Sequence, residues 1–371
     1  MKKILKKLHL YLALVFCLPL IIQGLSGSLL VFRSEISDFI LRQNYEFSQG
    51  EIRPAFEIIA AVEKTEEENL AFVRMPFKAQ QPAIIRLSNK KLNRDIFIDP
   101  VSLQIIKTEN PAEGFFYFVK KLHTNLLIDG PQSRVAIGCL GLILLFMAIS
   151  GIILFWPKLK HFSQSIKFNF QLKRRAFHRS LHKVFGFWSF AIVFVSSFSG
   201  IYLAFPDSTA AVISKVFHNQ NSVQNLKNIK IEAQKDSANF DLENAIFVSL
   251  DEIKKSAAEP KTTEEALVNN LQILSINFPQ KPDQPYRFNF IKKDYDRGEP
   301  LTIALFNQSQ QKVLLIKNPD FYNVAEKIIA WQHALHAGEG LGIIWAIIIF
   351  LMGLSPILFT ITGLKMWMKK T

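Results

Sequence analysis

Histidines at the ends of apolar segments are the residues of this sequence whose type and spacing could do chemistry. Residues 8–32 read LHLYLALVFCLPLIIQGLSGSLLVF, and residues 181–205 read LHKVFGFWSFAIVFVSSFSGIYLAF. Both segments begin with a Leu-His pair and carry a Ser-Gly pair near their end. His9 and Gly27 are 18 positions apart, as are His182 and Gly200. Ionisable side chains in or beside a membrane are costly and usually functional, so the repeated histidine indicates a function.

A second pair of histidines has a matching pattern of its own. LHTNLL at His123 is followed by ISGIILFW, and LHAGEG at His336 is followed by ITGLKMW. His123 and Gly151 are 28 positions apart, and His336 and Gly363 are 27 apart. The chain therefore consists of two copies of one unit. In each unit, one histidine lies at the start of the first helix and another lies just before the second helix.

Imidazoles at such positions have few roles. They hydrogen-bond backbone carbonyls, relay protons or bind metals, and the imidazole nitrogen is a common axial ligand of haem iron. A planar haem needs one imidazole from each side, and helix bundles hold cofactors between facing helices. The symmetry of the repeat therefore predicts one haem between His9 and His182 and a second between His123 and His336. A snorkelling or backbone-bonded imidazole is the alternative interpretation for any one histidine.

Two neighbouring histidines leave the choice of ligand open. His178 precedes His182 by four residues and His333 precedes His336 by three, so each pair shares one helix face. His178 and His333 are therefore alternative iron ligands, or else partners of a haem propionate or proton relays.

Small residues accompany the histidines near the far ends of the helices. They could let a macrocycle approach closely, although plain helix packing is the commoner role of such residues in membranes. They are Ser26, Gly27, Ser150, Gly151, Ser199, Gly200, Thr362 and Gly363.

Four apolar stretches must position these residues. The chain has 371 residues, 49% of them hydrophobic, and the apolar residues cluster at about 10–32, 135–156, 184–205 and 343–366. Each stretch exceeds the roughly 20 residues that cross a bilayer, which predicts four transmembrane helices. The basic, apolar start also resembles a signal peptide, but its apolar run is longer than usual and its pattern recurs internally, which favours a retained helix.

The distribution of charge predicts the orientation. Lysine and arginine concentrate before the first helix, between the second and third, and after the fourth, where no acidic residue occurs. They are Lys2, Lys3, Lys6 and Lys7; then Lys158, Lys160, Lys167, Lys173, Arg174, Arg175, Arg179 and Lys183; then Lys369 and Lys370. The positive-inside rule places these segments in the cytoplasm. The net charge of +13 is thereby explained without a nucleic-acid partner.

Two long polar regions then lie on the opposite side of the membrane, and each has helix-like and strand-like runs. The expected fold is a membrane α-helical bundle of four transmembrane helices, with a parallel two-fold internal repeat and two extracytoplasmic α+β domains. The expected boundaries are 1–32 for the cytoplasmic N-terminus and first helix, 33–122 for the first outer domain, 123–156 for the His123 segment and second helix, 157–183 for the basic loop, 184–205 for the third helix, 206–332 for the second outer domain, and 333–371 for the remainder.

The four helix signatures resemble those of the PepSY-associated transmembrane family, over essentially the whole chain. Residues 54–106 look like a PepSY-type domain, and the second outer domain is a more diverged match. The resemblance implies a bacterial inner-membrane protein with two b-type haems, held by His9, His182, His123 and His336, that passes cytoplasmic electrons to a ferric siderophore outside. One departure is Ala13, where the family more usually has glycine.

The resulting hypothesis is a haem-dependent oxidoreductase, a ferric-siderophore reductase for iron acquisition. No protein nucleophile or general base is expected, because the cofactor carries the chemistry. The sequence GEGLG at 338–342 lacks the spacing of a dinucleotide fingerprint, so a cytoplasmic donor protein must supply the electrons. The alternatives are a siderophore transporter, or a non-redox sensor or protease-regulating module.

Overall fold

The computed structural model of the chain describes residues 2–62, 67–78, 80–89, 93–157, 159–217, 229–231, 240–257 and 271–368. Lys158, Lys369 and Lys370, three of the residues that predict the orientation, lie outside these ranges. Within them the helices are α1 (Lys2–Val31), α2 (Arg33–Asn44), α3 (Ala55–Ala60), α4 (Phe115–Asn125), α5 (Gln132–Phe155), α6 (Phe162–Ser165), α7 (Arg174–Ala204), α8 (Pro206–Val216), α9 (Leu242–Ala257), α10 (Val324–Ala337), α11 (Gly342–Gly353) and α12 (Ser355–Met368).

Four segments of the described chain are long and apolar enough to cross a membrane. They are α1, α5, α7 and the combined segment Gly342–Met368. Their apolar side chains are largely exposed, as expected of helices that face lipid rather than water. The prediction of a membrane protein with four spanning helices is confirmed in this respect. α1 and α7 begin several residues before the apolar stretches, at Lys2 and Arg174.

The fourth span is divided into two helices at Leu354. Pro356 has no backbone N–H, so it cannot continue the hydrogen-bond ladder of α11. The Leu354 N–H instead bonds the Leu351 carbonyl at 3.2 Å, in a tighter turn. The Phe350 carbonyl, freed by this change, accepts a 2.8 Å hydrogen bond from the Ser28 hydroxyl of α1. A backbone group that has no helical partner in the membrane is thus satisfied by a neighbouring helix.

Glycines allow the helices to approach one another closely. A Cβ atom on Gly24 of α1 would overlap the backbone carbonyl of Gly353, and a Cβ on Gly138 of α5 would overlap the ring of Phe205. A Cβ on Gly141 would lie 2.9 Å from the Ile201 side chain. Small residues at helix interfaces are the usual means of packing in membranes, where no hydrophobic effect drives association. Glycine therefore holds α1 against the break in the fourth span and α5 against α7.

A single antiparallel sheet of eight strands lies beyond one end of the bundle. Its strands are β1 (Asn69–Arg74), β2 (Ala83–Ser88), β3 (Asn93–Ile98), β4 (Ile105–Glu109), β5 (Leu271–Asn277), β6 (Tyr286–Lys292), β7 (Thr302–Asn307) and β8 (Lys312–Lys317). The order is β4-β3-β2-β1-β5-β6-β7-β8. Strands from both outer regions therefore join through β1 and β5, where Val73 pairs with Ile276. The separate folding of the two outer domains stays a prediction.

One face of the sheet carries the hydrophobic core of the outer part. Alternate residues point to opposite faces of a strand. Val73, Ile85 and Ile276 are fully buried on one face, where Ile58 of α3 and Ile253 of α9 cover them. The other face carries polar residues and looks toward the bundle, as described below.

Candidate functional site

Two histidines lie at the end of the bundle that holds the chain termini. His9 is in the third turn of α1, and its Nδ1 atom is 2.7 Å from the Ser150 hydroxyl of α5. His182 of α7 makes the corresponding contact, with Nδ1 2.8 Å from the Thr362 hydroxyl of α12. His9 and His182 are close enough to interact electrostatically. We call them the terminus-side pair.

The other two histidines lie at the sheet end and form the sheet-side pair. His123 is in the last turn of α4, where its Nδ1 atom is 3.1 Å from both the Ser26 hydroxyl and the Gln23 carbonyl of α1. His336 is in the last turn of α10. Its Nδ1 atom is 3.1 Å from the Ser199 hydroxyl and 3.0 Å from the Ser196 carbonyl of α7.

Local sequence fixes the helices that carry the sheet-side pair. Asn323 and Glu326 form a reciprocal capping box at the start of α10. Gly338 ends α10 just after His336 with a φ of 78°, a left-handed conformation that favours glycine. α4 ends at Leu126 in the same conformation, with a φ of 52°. Each histidine is therefore held one turn or less from a defined helix end.

The hydrogen bonds determine which ring nitrogen carries the proton. Each of the four hydroxyls already donates its single proton to a carbonyl of its own helix. The bonds run from Ser26 to Ile22 (2.7 Å), Ser150 to Met147 (3.2 Å), Ser199 to Val195 (2.7 Å) and Thr362 to Leu358 (2.7 Å). The Gln23 and Ser196 carbonyls can only accept, so His123 and His336 donate from Nδ1, and the Ser150 and Thr362 oxygens are likewise placed to accept from Nδ1 of His9 and His182. The lone pair of Nε2 is left for a ligand, as in metal-binding histidines whose other nitrogen donates to a supporting group.

The sheet-side rings lie next to each other, with their centres at a distance that suits a shared metal. The centres of the His123 and His336 rings are 6.0 Å apart and their planes differ by 42°. An iron between two imidazoles, with metal–nitrogen bonds of about 2 Å, needs ring centres about 6 Å apart. Burial lowers the pKa of both rings. At His336, burial and the neighbouring His123 lower the pKa to about 4. Both are therefore neutral at physiological pH, which ligation requires.

The space beside the glycines is tighter at the sheet-side pair than at the terminus-side pair. A Cβ on Gly27 would lie 2.9 Å from Cε1 of His123, and one on Gly200 would lie 3.1 Å from Cε1 of His336. A Cβ on Gly151 would lie 3.6 Å from Cε1 of His9, an ordinary contact, and one on Gly363 would meet no atom within 4 Å. The imidazoles of the sheet-side pair thus occupy the space that side chains would fill.

Buried polar groups near the sheet-side pair also lack partners within the described chain. The Nε2 atom of Gln23 and the Oε1 atom of Gln332 are buried without a hydrogen bond among the described residues. Gln23 is the residue whose carbonyl holds His123, and Gln332 lies one turn before His336 on α10. Two neutral imidazoles, glycine cradles and unsatisfied amides fit a haem with polar edge groups.

Comparison with known proteins identifies the family. The family described as the PepSY-associated TM region matches residues 6–370. The chain belongs to the PepSY-associated transmembrane family. Its match includes all four histidines and all four spans, and it confirms the resemblance noted in the helix signatures. No curated protein matches the chain.

The two alternative histidines of this PepSY-associated transmembrane protein have different surroundings. The side chain of His333 is 70% exposed and lies 3.9 Å from Glu339, so it points away from the sheet-side pair. His178 is half-buried against the ring of Phe177, and its Nδ1 atom has no hydrogen-bond partner among the described residues. The described residues contain no cluster of three or more metal-ligating side chains. Of the six candidate ligands, the structure brings together His9 with His182 and His123 with His336.

Sequence reasoning missed the role of the hydroxyl residues. Ser26, Ser150, Ser199 and Thr362 were expected to serve packing or cofactor contact, whereas each holds the Nδ1 atom of a histidine. A signal was present, because each of the four immediately precedes a glycine of the repeated pattern. Phe359, which packs edge-on against the His182 ring at 5.2 Å, had no such signal.

Proposed function

We propose that this PepSY-associated transmembrane protein holds two b-type haems and transfers electrons from the cytoplasm to a ferric siderophore or other ferric chelate on the outer side. The observation that carries the proposal is the pair of neighbouring His123 and His336 rings, whose centres are 6.0 Å apart and whose Nδ1 atoms are both occupied by hydrogen bonds. The terminus-side pair repeats the same bonding to hydroxyls.

The roles of the residues follow from this geometry. His9 and His182 would hold one haem, and His123 and His336 the other, through Nε2. A bound haem supplies one-electron chemistry at its iron. The four hydroxyls orient the rings and keep the proton on Nδ1, and the surrounding apolar helices exclude water. No side chain of the protein acts as a nucleophile or general base, and reduction of Fe(III) weakens the chelate of a hard-oxygen ligand.

We further propose a parallel two-fold repeat and an orientation with both termini in the cytoplasm. The repeat is supported by the exchange of histidine-to-hydroxyl bonds between α1, α4 and α5, which α7, α10 and α12 make in the same way. The orientation is supported by the basic residues at the terminus end of the bundle. In a bacterial inner membrane the sheet would then lie outside the cytoplasm as PepSY-like domains, and a separate cytoplasmic protein would donate the electrons.

The absorption spectrum of the purified membrane protein tests the proposal. We expect a Soret band, a shift on reduction with dithionite, and a pyridine haemochrome equivalent to two haems b per chain. His9→Ala and His123→Ala should each remove about half of the haem. His333→Ala is the matched control, because that side chain points to solvent, and it should keep both haems. A purified protein without a Soret band would contradict the proposal.

A siderophore transporter is the second candidate, and the divided fourth span favours it. Broken helices that bind substrates near the midplane are typical of transporters, and the break at Leu354 lies within the span. The Ser28 hydroxyl, however, satisfies the freed carbonyl, so the break offers no open ligand there. Uptake of a labelled ferric chelate into proteoliposomes, without any reductant, would support transport instead of electron transfer.

A further inference from the structure

The second face of the sheet carries arginines that point away from the hydrophobic core. In the ladder of β1 and β2, Arg74 pairs with Ile84 and Phe72 pairs with Arg86. Val73 and Ile85, which alternate with these residues, are fully buried in the core. Because side chains alternate between faces, Arg74 and Arg86 lie together on the opposite face.

Two cations of the bundle face this side of the sheet. Lys120 lies on α4, one helical turn before His123. Arg33 begins α2 directly after α1, the helix whose Gln23 and Ser26 hold His123. Lys120 interacts electrostatically with both Arg33 and Arg86, and Arg74 interacts with Arg33. Cations from four elements therefore converge between the sheet and the sheet-side pair.

Among the described residues, only one of these four cations forms a direct ion pair. Arg86 forms a bidentate pair with Asp95, at 2.6 and 2.7 Å. The side chains of Arg33, Arg74 and Lys120 make no ion pair or hydrogen bond with a described residue. The remaining three form what we call the cation group (Arg33, Arg74 and Lys120). Their like charges repel each other, and an anionic ligand would relieve that repulsion.

The cation group is open to solvent but closely surrounded. All three side chains are exposed. Protein nevertheless surrounds Arg74 and Lys120 closely enough for burial to lower the pKa of each side chain. Two acids, Asp38 and Asp95, interact with Arg74, but the Asp38 carboxylate already accepts a 2.8 Å hydrogen bond from Gln81 and the Asp95 carboxylate is paired with Arg86. The cation group is therefore accessible from water while protein packs around two of its three members.

We propose that the cation group, with Arg86 beside it, binds the carboxylates of an anionic ferric chelate of the hydroxycarboxylate class next to His123. This inference rests on the proposed function, since it names the substrate class of the reductase. Charge-assisted hydrogen bonds from guanidinium to carboxylate are the strong and geometrically selective ones. Arg74 belongs to the sheet, whereas Arg33 and Lys120 belong to helices at the adjacent end of the bundle. A ligand bound to all three would therefore lie between the sheet and the bundle.

A binding measurement that needs no electron transfer tests this proposal. The full-length protein, as purified, is placed in nanodiscs of zwitterionic phosphatidylcholine, so that anionic headgroups do not compete. Gallium(III) citrate, which is redox-inert, is titrated by calorimetry. We expect Arg74→Gln and Lys120→Gln each to weaken its binding by about fivefold, and the double variant by more than tenfold. Binding to the unmodified protein should weaken as the salt concentration is raised, because salt screens the charges of the exposed cation group.

The control variant is Lys312→Gln. Lys312 is an exposed residue at the start of β8, four strands from β1, or about 19 Å across the sheet. This variant should bind gallium citrate as the unmodified protein does. Equal affinity in all variants, with folding verified by circular dichroism, would overturn the proposal.

Haem content distinguishes the remaining outcomes. If Arg74→Gln and Lys120→Gln lose haem while retaining gallium citrate affinity, the cation group serves haem propionates and the proposal is wrong. If binding depends on Arg74 in a protein that contains no haem, the chelate site stands and the proposed electron transfer fails. If anionic phosphatidylglycerol vesicles bind and gallium citrate does not, the ligand is a lipid headgroup and the proposal is overturned.

Discussion

Alanine substitutions at the four repeated glycines should have different effects on the two proposed haem sites. A Cβ on Gly27 would lie 2.9 Å from Cε1 of His123, whereas carbon atoms in contact are normally about 3.5–4.0 Å apart. The ring of His123 must therefore retreat by about 0.6 Å or more. Metal–ligand distances tolerate only about 0.2 Å, so a ring displaced this far would lose the proposed bond to iron unless His336 moved with it.

The expected loss is large enough to measure directly. Changes to the groups that orient a metal ligand typically cost about 10- to 100-fold in metal affinity. We expect Gly27→Ala, and to a lesser degree Gly200→Ala at 3.1 Å from His336, to reduce the haem content from two per chain toward one. The assay is the pyridine haemochrome, measured against protein concentration, together with the reduced-minus-oxidised spectrum.

The other two glycines provide matched controls. A Cβ on Gly151 makes an ordinary 3.6 Å contact and one on Gly363 meets no atom within 4 Å, so Gly151→Ala and Gly363→Ala should keep both haems. Alanine otherwise favours a helix over glycine by about 1 kcal/mol, so a loss of haem could not be blamed on helix propensity. Two full haems in Gly27→Ala, or an equal loss in Gly363→Ala, would refute the reasoning.

Three further predictions concern hydrogen bonds. Burial alone would raise the pKa of Asp99, but hydrogen bonds from surrounding backbone N–H groups outweigh burial and lower that pKa below 3.8. The charged carboxylate therefore stabilises the fold above about pH 4, and this stabilisation is lost as the pH falls. Asp99→Asn should lower the free energy of unfolding by about 1–3 kcal/mol at pH 7 and should reduce the dependence of that free energy on pH in acid. Ser28→Ala leaves the Phe350 carbonyl without its donor and should lower thermal stability by about 1 kcal/mol. Ser150→Ala removes the acceptor of the His9 Nδ1 proton, and haem titration should show about 10- to 100-fold weaker binding of one haem only.

Local composition made the spans and the candidate histidines predictable. A run of about 20 consecutive apolar residues is the length of a membrane-spanning helix, so the positions of the four spans follow from the sequence. The 18-residue interval between histidine and glycine marks both α1 and α7. The proline at 356 also signalled a weak point in the fourth span. Whether it bends or breaks a helix depends on neighbouring helices, and only the contact of Gly24 and Ser28 with the break decides this.

Tertiary contacts determine what the sequence left open. His333 and His336 share one helix face in the sequence pattern, but α10 is oriented so that the His336 ring lies next to His123 while the His333 side chain is 70% exposed. The join between β1 and β5 likewise cannot be inferred, because each strand has an acceptable partner within its own region. The pairing of Val73 with Ile276 unites residues 203 positions apart, and no local pattern specifies such a contact.

The exchange of histidines and hydroxyls links the two layers mechanically. α1 supplies the histidine of one layer and the hydroxyl of the other, and α7 does the same in the second half. Each layer needs one histidine from each half, so its geometry depends on the contacts between the halves. Two such contacts are glycine-mediated, at Gly24 against Gly353 and at Gly141 against Ile201. A bulky residue at Gly24 would displace α1, which carries His9 and the Ser26 that contacts His123, and one at Gly141 would displace α7, which carries His182 and the Ser199 that contacts His336. Bulky substitutions at these interfaces should therefore lower the occupancy of both proposed haem sites together, whereas Gly27→Ala should lower the occupancy of one.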